Sequence, residues 1–182
     1  MNRNRVRTLS ECSVLLAAAT LLSMVVIFRM VNDGAVTLCS MVPIFLIAFR
    51  YSVKWAVLAA TAFGGLQMVI LFYPPPVKTV PAFACVVLLD YVIAFGVLGL
   101  AGWFGRPFTG YKKMIVGTGI AVFLRFLCHF VSGIIIWKSF STIQPVWLYS
   151  LVYNGSFLSV DYLIALPALI AVMRLPLLRR EP

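Results

Sequence analysis

An apolar stretch in the second half of the chain, 123-FLRFLCHFVSGIIIWK-138, contains residues capable of binding chemistry at one-turn spacing. A helix places Arg125, His129, Gly133 and Trp137 on one face, because four residues make about one turn. This face offers a cation, an imidazole, a gap and an indole, which can form hydrogen bonds and stack on a flat ring. A charge inside an apolar helix is costly, so the pattern indicates either a binding site or interhelical hydrogen bonds.

Composition indicates what kind of element carries this face. The 182 residues are 63% hydrophobic, with a mean hydropathy of +1.04, whereas soluble domains are about 45–50% apolar. Repeated apolar runs of about 20 residues are typical of membrane-spanning helices and not of barrel strands. We therefore predict an all-α integral membrane protein with six transmembrane helices, at roughly 10–30, 37–49, 53–72, 82–104, 114–138 and 147–173.

The net charge of +10 reflects membrane topology rather than nucleic-acid binding. With the N-terminus in the cytoplasm, only Arg29, Lys78 and Lys138 of the 15 Lys and Arg residues fall on the outer side. Cytoplasmic loops carry an excess of Lys and Arg, so both termini are predicted to be cytoplasmic. The expected location is the plasma membrane, crossed several times, with no nucleic-acid partner.

Residues 1–182 are expected to form a single membrane-embedded domain surrounded by lipid. The second span is short and contains Pro43, which predicts a kinked or partly re-entrant helix. The four cysteines lie singly in apolar spans, without a Cys-x-x-Cys pair. Neither a disulfide framework nor a metal site is therefore predicted.

Polar residues on three predicted helices fall at one depth in the outer half of the membrane. They are Asp90, Tyr91, His129, Trp137, Tyr149 and Asn154. In one interpretation they hold the bundle together, with Asp90 paired to Arg125. In the other they form an outward-facing ligand pocket, in which Gly133 leaves a notch for a flat ring; the alternative for Gly133 is close helix packing. Asp161 lies deeper, and a packing hydrogen bond is predicted for it rather than ligand contact.

Four segments resemble the thiamin-specific substrate-binding subunit, or S component, of energy-coupling factor (ECF) vitamin transporters. They are 42-VPIFLIAFRYSVKWA-56, 89-LDYVIAFGVLGLAG-102, 124-LRFLCHFVSGIIIW-137 and 145-PVWLYSLVYNGSF-157. The specific features are Asp-Tyr on the fourth helix, basic-x-x-x-His-x-x-x-Gly-x-x-x-Trp on the fifth and Tyr-x-x-x-x-Asn on the sixth. They occur in the family's order and spacing, and the resemblance extends over essentially the whole chain.

The resemblance implies a binding protein and not an enzyme. Such S components are six-helix bundles of the bacterial cytoplasmic membrane that bind a vitamin tightly from outside, without a cofactor. They have no ATPase of their own, and they dock onto a membrane scaffold subunit and two cytoplasmic ATPases that drive delivery inside. The expected function is therefore high-affinity thiamin capture as a subunit of an ECF-type ABC importer.

The resemblance also implies which residues bind the vitamin. They are Asp90, Tyr91, Arg125, His129, Gly133, Trp137, Tyr149 and Asn154, with Asp33 and Tyr73 as candidate lid or loop contacts. Thiamin carries a fixed positive charge on its thiazolium, which a carboxylate and an indole favour, and an aminopyrimidine that hydrogen-bonding side chains satisfy. On the first helix, Ser13 and Ala17 resemble the family's small-x-x-x-small docking face; packing inside the chain's own bundle is the alternative.

Other functions are weighed against this one. An S component for another vitamin or for a thiamin-related pyrimidine would share the fold, and Asp90 separates cationic from carboxylate-bearing ligands. An intramembrane hydrolase would require Ser156 beside His129, yet the sequence has neither Gly-x-Ser-x-Gly nor His-Glu-x-x-His. A self-sufficient ATP-driven pump is excluded, because no Gly-x-x-x-x-Gly-Lys-[Ser/Thr] loop is present.

Overall fold

In the part of the chain that the structure describes, the main elements are six helices that form a bundle, as the hydropathy predicts. The computed structural model describes residues 3–31, 34–76 and 78–175. The helices are α1 (Arg3–Met24), α2 (Met41–Arg50), α3 (Val53–Ile70), α4 (Val80–Phe104), α5 (Gly110–Ile135) and α6 (Val146–Met173). All except α2 are long and apolar enough to cross a membrane. The predicted all-α membrane fold is thus confirmed.

The first predicted span is wrong at its outer end, where a small β-hairpin replaces helix. Helix α1 ends at Met24, and the chain continues into β1 (Val26–Arg29), which pairs antiparallel with β2 (Ala35–Thr37). The segment 25-VVIF-28 is as apolar as the helix before it, so hydropathy does not reveal the boundary. Its β-branched residues favour an extended strand, which is the conformation the chain adopts.

Helix α2 occupies the centre of the bundle. All residues from Met41 to Ala48 are buried, and α2 packs against α1, α3, α4 and α6. Ten residues rise only about 15 Å, which is half the hydrocarbon thickness. Pro43 lies in the first turn of α2, where a proline has no helical hydrogen bond to break, so the chain shows no kink at this residue. The alternative, a partly re-entrant helix, stays a prediction.

Helix α4 departs from α-helical geometry where the polar residues lie. It contains a π-helical segment, Val87–Ile93, and a 3-10 segment, Val97–Leu100. Further along, a Cβ atom on Gly102 would overlap the carbonyl of Ala48, so only glycine lets α4 approach α2 this closely. This contact sets the position of α4 against the central helix.

The outer surface of the bundle is apolar, as a bilayer requires. Val14 on α1, Val69 on α3 and Leu163 on α6 are all exposed. Apolar side chains exposed around a whole bundle are stable only against lipid. The chain is therefore a multi-pass membrane protein.

Candidate ligand-binding site

A cavity of about 210 Å³ lies between the hairpin and helices α3 to α6. It brings together most of the residues that the sequence analysis proposed for ligand binding. Those that line it are Asp90, Tyr91, Arg125, His129, Trp137 and Asn154, together with Tyr73 from the loop before α4. Gly133 and Tyr149, which the sequence also predicted, do not line it.

Asp90 is the centre of a hydrogen-bond network on one wall of the cavity. Its Oδ1 lies 3.0 Å from His129 Nδ1, and its Oδ2 accepts from Ser132 Oγ at 2.7 Å and from Trp137 Nε1 at 3.1 Å. Trp137 Nε1 also lies 3.1 Å from Ser132 Oγ. Both oxygens of this largely buried carboxylate are thus engaged by α5 and the turn that follows it.

The π-helical segment of α4 positions Asp90 and Tyr91. Single π-helical turns are rare and often occur at functional sites, because they widen the helix and redirect its side chains. Tyr91 Oη donates to the carbonyl of Leu71 and accepts from the N–H of Tyr73, both at 3.2 Å. The loop is thereby held so that the ring of Tyr73 lies 5.5 Å from that of Trp137.

Trp137 lies outside the helix that the sequence assigned to it. Helix α5 ends at Ile135, and Trp137 belongs to a 3-10 turn, Trp137–Phe140. Its ring stacks on Phe140 at 6.0 Å, while its Nε1 reaches Asp90. The indole is therefore fixed at the outer end of the cavity by ring contacts with Tyr73 and Phe140 and by the hydrogen bonds of its Nε1.

One ring nitrogen of His129 bonds Asp90, and the other has no hydrogen-bond partner among the described residues. A carboxylate oxygen can only accept, so Nδ1 donates to Asp90. His129 Nε2 is buried and has no hydrogen-bond partner among the described residues. In the neutral imidazole this Nε2 is an acceptor, and it is available to a donor on a ligand.

Arg125 does not pair with Asp90, which corrects the structural interpretation of the polar cluster. No described carboxylate lies within 4.0 Å of its guanidinium. Its Cζ lies 4.3 Å from the centroid of the Phe95 ring, and its Nε has no hydrogen-bond partner among the described residues. Arg125 is only 9% exposed. Its Nε is therefore a buried donor without a protein acceptor in the described ranges, and such donors usually bond a ligand or a water.

Asn154 is held so that its carbonyl is free. Its Nδ2 donates to Ser150 O at 3.0 Å and lies 3.3 Å from His129 O. No donor in the described ranges bonds its Oδ1. The amide therefore has an acceptor left for a ligand on the α6 side of the cavity.

Gly133 and Tyr149 serve helix packing in this structure. A Cβ on Gly133 would lie 3.0 Å from Ser150 Cβ and 3.2 Å from Asn154 Nδ2, and it would overlap Ser150 Oγ. Ser150 thus fills the predicted notch, and the close-packing alternative describes Gly133. Tyr149 stacks on Tyr153, with ring centroids 5.6 Å apart.

The hairpin and α6 supply lining residues that the sequence analysis did not assign to the ligand. Tyr153 Oη accepts from the N–H of Gly34 at 2.8 Å, and Tyr153, Phe157 and Asp161 all line the cavity. Tyr153 lies one turn after Tyr149, a spacing that was available in the sequence. The candidate lid residue Asp33 lies outside the described residues.

The two residues predicted to dock a partner face outward. Ser13 and Ala17 are both exposed on α1, so they do not pack inside the chain's own bundle. Ser156, the candidate nucleophile of a hydrolase, is also exposed and donates to the carbonyl of Tyr153. It does not line the cavity, and no geometry favours hydrolysis.

Comparisons with known proteins agree with this architecture. Residues 9–178 match the family described as Thiamine transporter protein. Thiamine transporter ThiT of Bacillus subtilis (strain 168) is 35% identical over 171 residues, which cover 86% of this chain and 84% of that protein. A solved structure of ThiT from Listeria monocytogenes superposes with a TM-score of 0.75 over 97% of this chain and 98% of its own, at 21% identity, and so supports the fold.

Proposed function

Because the chain belongs to the thiamine transporter family, we propose that it is the high-affinity thiamin-binding subunit of an ECF-type importer. Members of this family are transporters and not enzymes, and the chain takes part in thiamin uptake across the plasma membrane. The finer proposal is that the cavity captures thiamin from outside and releases it inside after docking with an ATPase module.

The ligand assignment rests on one observation: the cavity contains two buried nitrogen atoms without a described partner, one a hydrogen-bond acceptor and the other a donor. His129 Nε2 can accept from an exocyclic amino group, and Arg125 Nε can donate to a ring nitrogen. An aminopyrimidine carries both features side by side. The rings of Trp137 and Tyr73, 5.5 Å apart, line the same cavity and suit a flat heterocycle.

The carboxylates of the cavity support a cationic ligand. Asp90 and Asp161 both line it and are shielded from water by the surrounding helices. The fixed positive charge of a thiazolium is favoured next to these carboxylates. Two arginines, Arg29 and Arg125, line the same cavity and favour acceptor atoms elsewhere on the ligand. A vitamin that left His129 Nε2 and Arg125 Nε unpaired would also lose affinity, because unsatisfied buried groups are costly.

The docking part of the proposal rests on α1 and on the absence of an ATP-binding loop in the sequence. Ser13 and Ala17 present small side chains one turn apart on an exposed face, which allows close approach of another membrane helix. The partners proposed are a membrane scaffold subunit and two cytoplasmic ATPases. They supply the energy, since the chain has no phosphate-binding loop.

Ligand titration of the purified protein tests the assignment, with intrinsic tryptophan fluorescence as readout because Trp137 lies on the cavity. Thiamin, riboflavin and the free aminopyrimidine half of thiamin are titrated separately into the parent, Asp90→Asn and Glu11→Gln. Glu11→Gln is the matched control, because Glu11 makes its contacts with Arg7, Arg50 and Tyr51, outside the cavity.

We expect saturable quenching by thiamin, none by riboflavin, and a loss of affinity of about tenfold or more in Asp90→Asn. Glu11→Gln should bind thiamin like the parent. Well-folded parent protein that binds riboflavin, or that binds the free pyrimidine as tightly as thiamin, would assign the site to a different ligand.

A further inference from the structure

Asp161 is a buried carboxylate with one oxygen that no described residue uses. It lies on α6, and only 4% of its surface is exposed. Its Oδ1 accepts from the N–H of Thr37 at 2.9 Å and from Thr37 Oγ1 at 3.1 Å. Its Oδ2 accepts no hydrogen bond from any residue in the described ranges. The sequence predicted the packing hydrogen bond but not this open oxygen.

Asp161 differs in this respect from the other carboxylate of the cavity. Both oxygens of Asp90 already accept hydrogen bonds from protein donors. Asp161 lines the cavity, so its Oδ2, which accepts from no described residue, can accept from a ligand donor or face a ligand cation. Of the two, Asp161 therefore has the greater capacity to bind a charged ligand directly.

The position of Asp161 sets it apart from the hydrogen-bonding end of the cavity. It lies seven residues after Asn154 on the same helix, which is about 10 Å along the axis. Both residues line the cavity, so the cavity spans about two turns of α6. One ring of a two-ring ligand can lie near His129 and Asn154 while the other lies near Asp161.

The charged groups around Asp161 leave its Oδ2 available. Arg125 interacts with Asp161 electrostatically, but the two side chains form no ion pair within 4.0 Å in the described part of the chain. Arg29 on the hairpin also lines the cavity, but no ion pair within 4.0 Å joins it to Asp161 among the described residues. Asp90 and His129 bond each other on the opposite wall.

We propose that Asp161 is a ligand-binding residue that determines the preference of the cavity for a cation, with Oδ2 facing the thiazolium while Oδ1 holds the hairpin through Thr37. This inference rests on the proposed function and adds a second carboxylate to its site. The aminopyrimidine lies at the His129 end, and the positively charged ring lies at the Asp161 end.

The test compares thiamin with a neutral analogue in which a thiophene ring replaces the thiazolium. Dissociation constants for both are measured on the purified full chain in the parent, Asp161→Asn and Thr37→Val. Asp161→Asn removes the charge but keeps an oxygen that can accept from Thr37. Thr37→Val is the matched control, because it removes the hydroxyl that bonds Asp161 and Ser40 but leaves the carboxylate and its hydrogen bond from the Thr37 N–H.

We expect the parent to bind thiamin about tenfold or more tightly than the neutral analogue. Asp161→Asn should lose most of that ratio through weaker thiamin binding, with the affinity for the neutral analogue nearly unchanged. Thr37→Val should weaken both ligands alike and keep the ratio.

Equal losses for both ligands in Asp161→Asn, or no loss for either, would overturn the inference and leave thiamin binding itself standing. If Asp161→Asn does not fold, Asp90→Asn decides: keeping the parent's preference for thiamin over the neutral analogue would support Asp161, and losing it would assign the preference to Asp90. Equal affinity of the parent for both ligands would refute a role for either carboxylate. A parent that binds neither ligand would refute the proposed function instead.

Discussion

His129 Nδ1 lies 3.0 Å from Asp90 Oδ1, and this contact joins α5 to α4 at the cavity. The same contact fixes the orientation of the imidazole, so that Nε2 points away from the carboxylate and has no protein partner in the described ranges. The pair therefore acts as a unit, in which Asp90 determines which nitrogen of His129 a ligand meets.

Replacing His129 by Gln should reduce the preference of the protein for ligands that carry the amino group. We expect the parent to prefer thiamin over an analogue with oxygen in place of that amino group by about tenfold or more, because His129 Nε2 accepts from an N–H. In His129→Gln the two affinities should approach each other. The measurement is a fluorescence titration with both ligands, and an unchanged preference in the variant would place the amino group elsewhere.

Adding a methyl group at Gly133 should destabilise the fold, because Ser150 occupies the space. Overpacking of this kind costs about 1–3 kcal/mol, and Gly133→Ala should lower the Tm of the detergent-solubilised protein accordingly. Ser150→Ala in the same chain should recover part of the loss, since it removes the overlapping hydroxyl.

Gly65→Ala is the matched control for that experiment. Gly65 lies on the exposed side of α3 with open space at its Cβ position, so alanine there should not lower the Tm. Equal Tm values for Gly133→Ala and the parent would mean that α5 and α6 can separate at this point, contrary to the packing described.

The sequence predicts the polar cluster because ionisable side chains inside a membrane are costly and must face partners in the interior of the bundle. Asp90, His129 and Asn154 are conspicuous among apolar neighbours, and helix direction alone places them at a similar depth. Their partners were not predictable. Asp90 and Arg125 are the ion pair that the sequence suggests. The carboxylate is bonded instead by His129, Ser132 and Trp137. Of these three, Ser132 lies one residue away from the predicted face.

The hairpin and the open oxygen of Asp161 could not be read from the sequence for different reasons. Residues 25–28 are as apolar as α1. A strand of four residues is also too short for an alternating apolar–polar pattern to be recognised in the sequence. Asp161 is separated from Thr37 by 124 positions along the chain. Only the folded bundle shows that the hairpin uses one carboxylate oxygen and leaves the other.

A cluster at the predicted cytoplasmic end should give the fold a pH dependence in the alkaline range. Tyr51, in the loop between α2 and α3, donates to Glu11 on α1. Burial raises the pKa of Tyr51 to about 12, and the hydrogen bond to Glu11 acts in the same direction. The usual pKa of tyrosine is about 10. The neutral phenol therefore stabilises the fold fully below about pH 10, and the contribution is lost as the pH rises towards 12.

Thermal unfolding between pH 8 and 12 measures this contribution. The parent should lose Tm above about pH 10, and Tyr51→Phe should start from a lower Tm and show a shallower decline. Tyr111→Phe is the control, because Tyr111 is half exposed and contacts Arg174 instead. Parallel curves for the parent and Tyr51→Phe would contradict a role for this phenol.

A bulky side chain at Ala17 should block transport without affecting the cavity. Ala17 and Ser13 are exposed one turn apart on α1, and leucine at Ala17 would keep a partner helix from approaching closely. We expect Ala17→Leu to bind thiamin like the parent in isolation, but to lose most thiamin uptake in cells that also supply the scaffold and ATPase subunits. Ala84→Leu on the exposed side of α4 is the matched control and should transport normally. Normal uptake by Ala17→Leu would move the docking surface to another helix, while weaker thiamin binding would show that α1 shapes the cavity itself.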